Sequence, residues 1–160
     1  MILDLAIVLA ALVGMEGVAY LTHRYLMHGR WGWALHRDHH EPHDHRFERN
    51  DLYAVIFALI VAALFVAGNW IWPLTPIAIG ATLYGLLYVI VHDGLVHQRW
   101  PFRRVPRQGY LRRLYQAHKL HHASEGREGA VSFGFLYAPP VRQLKEQLAR
   151  SGVERASDRA

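Results

Sequence analysis

The sequence predicts an all-α integral membrane protein of about three transmembrane helices, with the N-terminus outside and a histidine-rich helical cap in the cytoplasm. Three observations carry this expectation. Apolar runs of membrane-spanning length cover residues 2–22, 52–72 and 74–91. All eighteen Lys and Arg residues fall within 24–50 or within 99–160, so the positive-inside rule puts both basic regions in the cytoplasm. Ten of the twelve histidines form four clusters that follow the first and third apolar runs.

The length of 160 residues allows one domain, taken as residues 1–150 with a frayed tail at 151–160. Apolar residues make up 52% of the chain, yet the mean hydropathy is near zero because apolar and basic residues are segregated. A net charge of +5 could suit nucleic acid, but the membrane topology accounts for the basic residues. The absence of cysteine excludes disulfides, thiolate ligands and a cysteine-held iron–sulfur cluster. No glycine motif for nucleotides is present. Electrons for any redox chemistry must therefore come from a separate protein.

The 21 residues of the first run, at about 1.5 Å each, span roughly one bilayer core. A signal peptide would need a positive start, whereas this one carries Asp4 and runs directly into His23. Glu16 lies seven residues before His23, on nearly the same helical face. It either supports a site built on His23 or is a protonated, packed carboxyl. Residues 24–51 are polar, with Trp31 and Trp33 suited to the membrane interface. Pro42 disfavours continuing a helix from His36–His40, which leaves His43 and His45 in the following loop, facing solvent or backing a ligand. Asn50 and Asp51 offer a cap for the next helix.

The second and third runs suit a helical hairpin that turns at Gly68 and Pro73, with Trp70 and Trp72 at the far interface. A soluble hairpin would show a polar face, and residues 52–67 carry no charge. Beyond the third run, Pro101, Pro106 and Gly109 precede a helix expected from Tyr110. Arg103, Arg104, Arg107, Arg112 and Arg113 form a basic patch for anionic headgroups or for an acidic electron carrier. Residues 125–137 suggest no chemistry. After Pro139 and Pro140, Val141, Leu144 and Leu148 share one face of an amphipathic helix.

The histidines repeat a pattern: the pair His23 and His28, the triplet His36, His39 and His40, then the pair His92 and His97 and the triplet His118, His121 and His122. Neutral imidazole is a common ligand for transition metals. On an α-helix, positions i, i+3 and i+4 fall within about 100°, so each triplet can converge on one face. Residues i and i+5 lie about 140° apart, so each pair either flanks a shared site or feeds two metals. Ten nitrogens exceed the capacity of one ion and suit two roughly six-coordinate ions. Oxidising an unactivated C–H bond of a lipid needs a redox-active metal, which excludes zinc and favours iron. Asp93, beside His92, is placed to orient a ligand imidazole; Asp38, near His39, reads rather as a surface carboxylate.

Two H-x4-H pairs and two H-x-x-H-H triplets around a membrane hairpin resemble the fatty acid hydroxylase superfamily of membrane di-iron enzymes. Longer segments, including His92-Asp-Gly-Leu-Val-His-Gln-Arg-Trp-Pro-Phe102 and Glu128-Gly-Ala-Val-Ser-Phe-Gly-Phe-Leu-Tyr-Ala-Pro-Pro140, resemble the bacterial β-carotene hydroxylase family within it, over nearly the whole chain. The resemblance implies dioxygen-dependent hydroxylation of carbon 3 of β-ionone rings, from β-carotene through β-cryptoxanthin to zeaxanthin, with ketolated rings as alternative substrates, canthaxanthin giving astaxanthin. It implies two iron ions held by His23, His28, His36, His39, His40, His92, His97, His118, His121 and His122, with electrons from a ferredoxin-type donor. A carotenoid reaching the site from the lipid bilayer of a bacterial inner membrane follows. Tyr20, Tyr84 and Tyr88 are expected to line the substrate pocket or simply to pack. Rival readings are a desaturase or hydroxylase of acyl chains or sterols, and a metal-transport or haem-binding membrane protein.

Overall fold

The computed structural model describes residues 1–41, 47–101, 104–124 and 126–157, with side chains through residue 152. Among these residues the elements are helical. Helix α1 spans Ile2–Leu21, and its axis continues through a π-helical stretch, Thr22–Met27. Helix α2 spans Trp33–His40, α3 Asp51–Ala67, and α4 Leu74–Tyr88, which continues as a π-helical stretch over Val89–Val96. Two cap helices follow, α5 (Gly109–His121) and α6 (Val141–Ser157).

Helix α4 packs against both α1 and α3. Small residues allow the close approach to α1: a Cβ on Gly80 would lie 2.4 Å from the Val8 carbonyl oxygen and 2.7 Å from the Ala11 Cβ. Ala78 and Ala81 are buried with Val61 of α3, and Met15, Phe57 and Leu64 pack against them. The outer faces carry large exposed apolar side chains, among them Leu5, Leu9 and Val13 on α1, Leu59 and Ile60 on α3, and Leu83 and Leu86 on α4. A continuous apolar exterior of this kind suits lipid.

Two helices, Ile2–Met27 and Leu74–Val96, are long and apolar enough to cross a membrane. The third apolar helix, Asp51–Ala67, is shorter than the run read from sequence, because residues 68–73 form the hairpin turn. Trp72 Nε1 donates to Asp4 Oδ1 at 3.1 Å, which ties the hairpin tip to the start of α1. The opposite ends of α1 and α4 therefore emerge together and carry the histidines.

The cap has its own core, in which Val91, Leu114, Ala117, Val131, Ala138 and Leu144 are buried together. Between helices α5 and α6, residues 124 and 126–140 form an irregular strap that crosses the histidine cluster. Leu144 is fully buried, as its amphipathic position predicts. Helix α6 runs through Ser157.

Candidate metal centre

The sequence reading treats each H-x4-H pair as lying on an α-helix, where its members would diverge. The structure differs. The amide of His28 donates to the His23 carbonyl at 3.0 Å, and that of His97 to the His92 carbonyl at 2.9 Å. These i→i+5 bonds are π-helical, and they bring each residue back over its partner. Ring centroids are 5.2 Å apart for His23 and His28 and 4.5 Å apart for His92 and His97. Each pair therefore serves a single site.

The triplets do the reverse. His23, His28, His36, His40 and His121 form one set in which a donor atom from each lies within 4.8 Å of every other, and His39, His92, His97 and His118 form a second. The middle histidine of each triplet thus crosses to the other half's site. His122 belongs to neither set by that criterion, but its Nε2 is 2.8 Å from His118 Nε2. By the exchange of triplet members, His122 corresponds to His40, and it completes a second group of five. The two groups adjoin, with His40 and His122 rings 4.4 Å apart.

Protonation follows from the hydrogen bonds. In the first set, His23 Nδ1 donates to the Phe133 carbonyl at 3.0 Å, His28 to Arg127 at 2.8 Å, His121 to Val131 at 2.9 Å and His40 to Ser124 at 3.3 Å. A carbonyl oxygen only accepts, so each Nδ1 carries the proton and each Nε2 presents a lone pair. His36 Nδ1 bonds Asn50 Oδ1 at 2.7 Å, to the same effect. The Nε2 atoms nevertheless face one another, at 3.2 Å for His23 and His36 and 3.2 Å for His28 and His121. Facing lone pairs repel, and a cation between them turns the repulsion into ligation. The donor set therefore fits a transition-metal ion.

In the second set the acceptors are carboxylates. His39 Nδ1 is 2.5 Å from Glu48 Oε2, and His92 Nδ1 is 2.7 Å from Asp93 Oδ1. Asp38, the nearer acid to His39 in sequence, instead accepts the Arg49 amide at 2.7 Å. Burial keeps the imidazoles neutral. Burial first, with the neighbouring His39 next, holds His36 down to about 2, and burial with His28 holds His40 to about 4. Burial likewise lowers His28, His118, His121 and His122.

Glu16 does not touch a histidine. Its carboxylate accepts the backbone amides of Phe135, Leu136 and Tyr137 at 2.9–3.1 Å and the Tyr84 hydroxyl at 2.7 Å. It thereby fastens the strap whose carbonyls orient four histidines of the first set. Sequence reading gave residues 125–137 no role, because backbone carbonyls leave no side-chain signature. His43 and His45 lie outside the described residues.

An apolar cavity of about 490 Å³ lies between α1, α3 and α4, lined by Met15, Phe57, Val61, Tyr84, Tyr88 and Phe135 among others. It reaches the histidines through two aromatic rings. Tyr88 stacks on His92 at 4.5 Å, and Phe135 stacks on His23 at 5.0 Å while meeting His92 edge-on at 5.1 Å. Tyr20 is not among the lining residues. Its hydroxyl accepts from Arg24 at 2.8 Å and its ring meets Phe133 at 6.0 Å.

The fatty acid hydroxylase family model matches residues 8–138. The chain is 61% identical to a beta-carotene hydroxylase of Paracoccus sp. (strain PC1), over 95% of this chain and 94% of that protein. It is 56% identical to a beta-carotene hydroxylase of Pantoea ananas, over 93% of this chain and 88% of that one. A chloroplastic beta-carotene 3-hydroxylase of Haematococcus lacustris is 38% identical over 87% of this chain and 44% of its own length. No solved structure matches. With the family model covering most of the chain, including all four histidine clusters, the protein belongs to the fatty acid hydroxylase family.

Proposed function

We propose that the chain is a β-carotene hydroxylase that inserts oxygen at carbon 3 of the β-ionone rings, forming β-cryptoxanthin and then zeaxanthin. The observation that carries this reading is the apolar cavity that ends on Tyr88 and Phe135, directly against both histidine sets. The names of the relatives, bacterial and chloroplastic, support the substrate, and that of the chloroplastic relative supports the ring position.

The ten histidines would hold two iron ions. Bound there, iron together with dioxygen supplies the oxidising power to replace a ring C–H hydrogen by hydroxyl. Each hydroxylation consumes one dioxygen, two electrons and two protons, and yields one hydroxyl group and one water. The chain has no cysteine and no nucleotide motif, so the electrons come from outside, and a ferredoxin-type donor fits. Val61, Phe57 and the Tyr84 and Tyr88 rings surround the hydrocarbon and exclude water. Phe135, in contact with His23 and His92, fixes how far the ring advances.

Helices α1, α3 and α4 cross the inner membrane, N-terminus outside and histidines toward the cytoplasm. The segregation of all Lys and Arg to the histidine side supports this orientation. The Asp51–Ala67 helix, 17 residues long, reaches about 26 Å, and the 68–73 turn with Trp70 and Trp72 brings it to bilayer thickness.

Expression in a bacterial host that accumulates β-carotene, followed by chromatography and mass spectrometry of the pigments, tests the function. Products heavier by one and by two oxygen atoms, co-eluting with the 3-hydroxy and 3,3′-dihydroxy compounds, are expected. Unchanged β-carotene from a host with membrane-inserted protein, iron and a ferredoxin system would refute it.

A further inference from the structure

The two sites match in number and kind of donor once His122 is counted with the second, yet they differ behind the donors. In the first, the Nδ1 partners are neutral: the carbonyls of Phe133, Arg127, Val131 and Ser124 and the Asn50 amide. In the second, His39 and His92 bond the carboxylates of Glu48 and Asp93. Those acids belong to a wider network. The Glu48 amide donates to Asp51 Oδ2 at 3.1 Å, Arg99 grips Asp51 through two bonds of 2.8 and 2.9 Å, and the Arg99 amide donates to the Asp93 carbonyl at 2.9 Å.

A carboxylate on the far nitrogen of an imidazole raises the basicity of the ligating nitrogen, and its charge attracts the bound cation. We propose that the two ions are held unequally, with Glu48 and Asp93 acting through His39 and His92 as positioning residues that make the second site the tighter one. This rests on the dinuclear iron reading. The first site, oriented by neutral carbonyls on a strap, then holds the ion that exchanges faster. The proposal gives Glu48 a function that its place in a loop of several acids does not suggest.

The test uses the full chain, purified in detergent with its iron. Release of iron to an excess of chelator is expected in two phases of equal amplitude. Glu48→Gln and Asp93→Asn each keep a hydrogen-bond acceptor and remove the charge. Each should speed the slow phase by about tenfold or more and leave the fast phase unchanged. Asn50→Asp places a carboxylate on His36 in the first site and should slow the fast phase, so the proposal remains testable if an acid variant folds poorly. Mössbauer spectra of the same samples should contain two quadrupole doublets. One shifts in Glu48→Gln and Asp93→Asn, and the other in Asn50→Asp.

Two ions leaving the unaltered protein in a single phase would overturn the proposal and leave the dinuclear reading standing. So would equal acceleration of both phases by Glu48→Gln. One ion per chain in the unaltered protein would overturn the dinuclear reading itself, and this inference with it.

Discussion

The first histidine site is oriented mostly from a distance and the second locally. His23 and Phe133, whose hydrogen bond orients one ligand of the first site, lie 110 residues apart, whereas His92 and Asp93, their counterparts in the second, are neighbours. Both halves of the chain build their sites from the same parts, a span, a π-helical turn and a triplet-bearing helix. What differs is the support. The first site depends on a strap that Glu16 holds from within α1, so it forms only when the far ends of the domain have packed.

Loss of a donor from either site is the largest expected effect and makes the comparison sharpest. His121→Ala removes a donor of the first site and His118→Ala one of the second. Outer hydrogen-bond partners alone cost about 10–100-fold in metal affinity or activity, so loss of a donor should cut hydroxylation by more than about 100-fold in either case. Iron analysis of detergent-purified protein should find half the iron of the unaltered protein in each variant, and Mössbauer spectra separate the two, because each variant should retain the ion of the intact site. Full activity in either variant would remove that residue from the ligand set.

Loosening the strap should be the next largest effect and should fall on one site. Glu16→Gln keeps an oxygen for the three backbone amides that Oε1 now accepts, but it removes the charge and the Oε2 acceptor of the Tyr84 hydroxyl, and each lost charge-assisted bond is worth about 1.5–3 kcal/mol. Iron in the first site should fall and hydroxylation should drop about tenfold or more, with the second site still loaded. Gly134→Ala attacks the same fastening from the other side, since its Cβ would stand 2.6 Å from Glu16 Oε1 and 2.7 Å from the Tyr137 carbonyl oxygen. Equal iron loss from both sites would show that the strap supports the whole cap.

The sequence made the common parts legible and hid the difference. Apolar runs, basic segregation and histidine spacing are side-chain patterns, and they led to the helical hairpin, the clustered ends and the ten histidines. The π-helical turns escaped because the 3.6-residue period was assumed for pairs whose five-residue spacing already matched an i→i+5 bond. The carbonyls of Ser124, Arg127, Val131 and Phe133 escaped because any residue supplies one. Glu48 was one acid among Glu41, Asp44, Glu48 and Asp51 in a single polar segment, and only the fold sets it against His39. Glu16 was recognisable as a carboxyl inside an apolar span, but its partners are backbone amides more than 100 residues away.

The Tyr84 hydroxyl is a finer part of the same fastening. Tyr84→Phe removes the hydroxyl that donates to Glu16 and leaves the three backbone amides in place. The cost should be about 1 kcal/mol of stability, seen as a lower denaturation midpoint in detergent. Hydroxylation should fall by no more than a few-fold, because the ring still lines the cavity. A loss as large as that of Glu16→Gln would make the hydroxyl, rather than the amides, the main fastening.

The same chemical change at Tyr20 should have the smallest effect. Tyr20 and Tyr84 are both span tyrosines near the histidine end, and the sequence offered them as equals. The structure separates them: Tyr84 faces the cavity and Glu16, whereas the Tyr20 hydroxyl, among the described residues, meets the Arg24 guanidinium in an exposed contact. An exposed contact of this kind contributes within about 0.5 kcal/mol. Tyr20→Phe keeps the ring against Phe133, so the carbonyl that orients His23 stays in place. Activity, iron content and the ratio of mono- to dihydroxylated product should match the unaltered protein. A changed product ratio would mean that the substrate passes Tyr20, outside the cavity between α1, α3 and α4, and would move the path to the site onto the other face of α1.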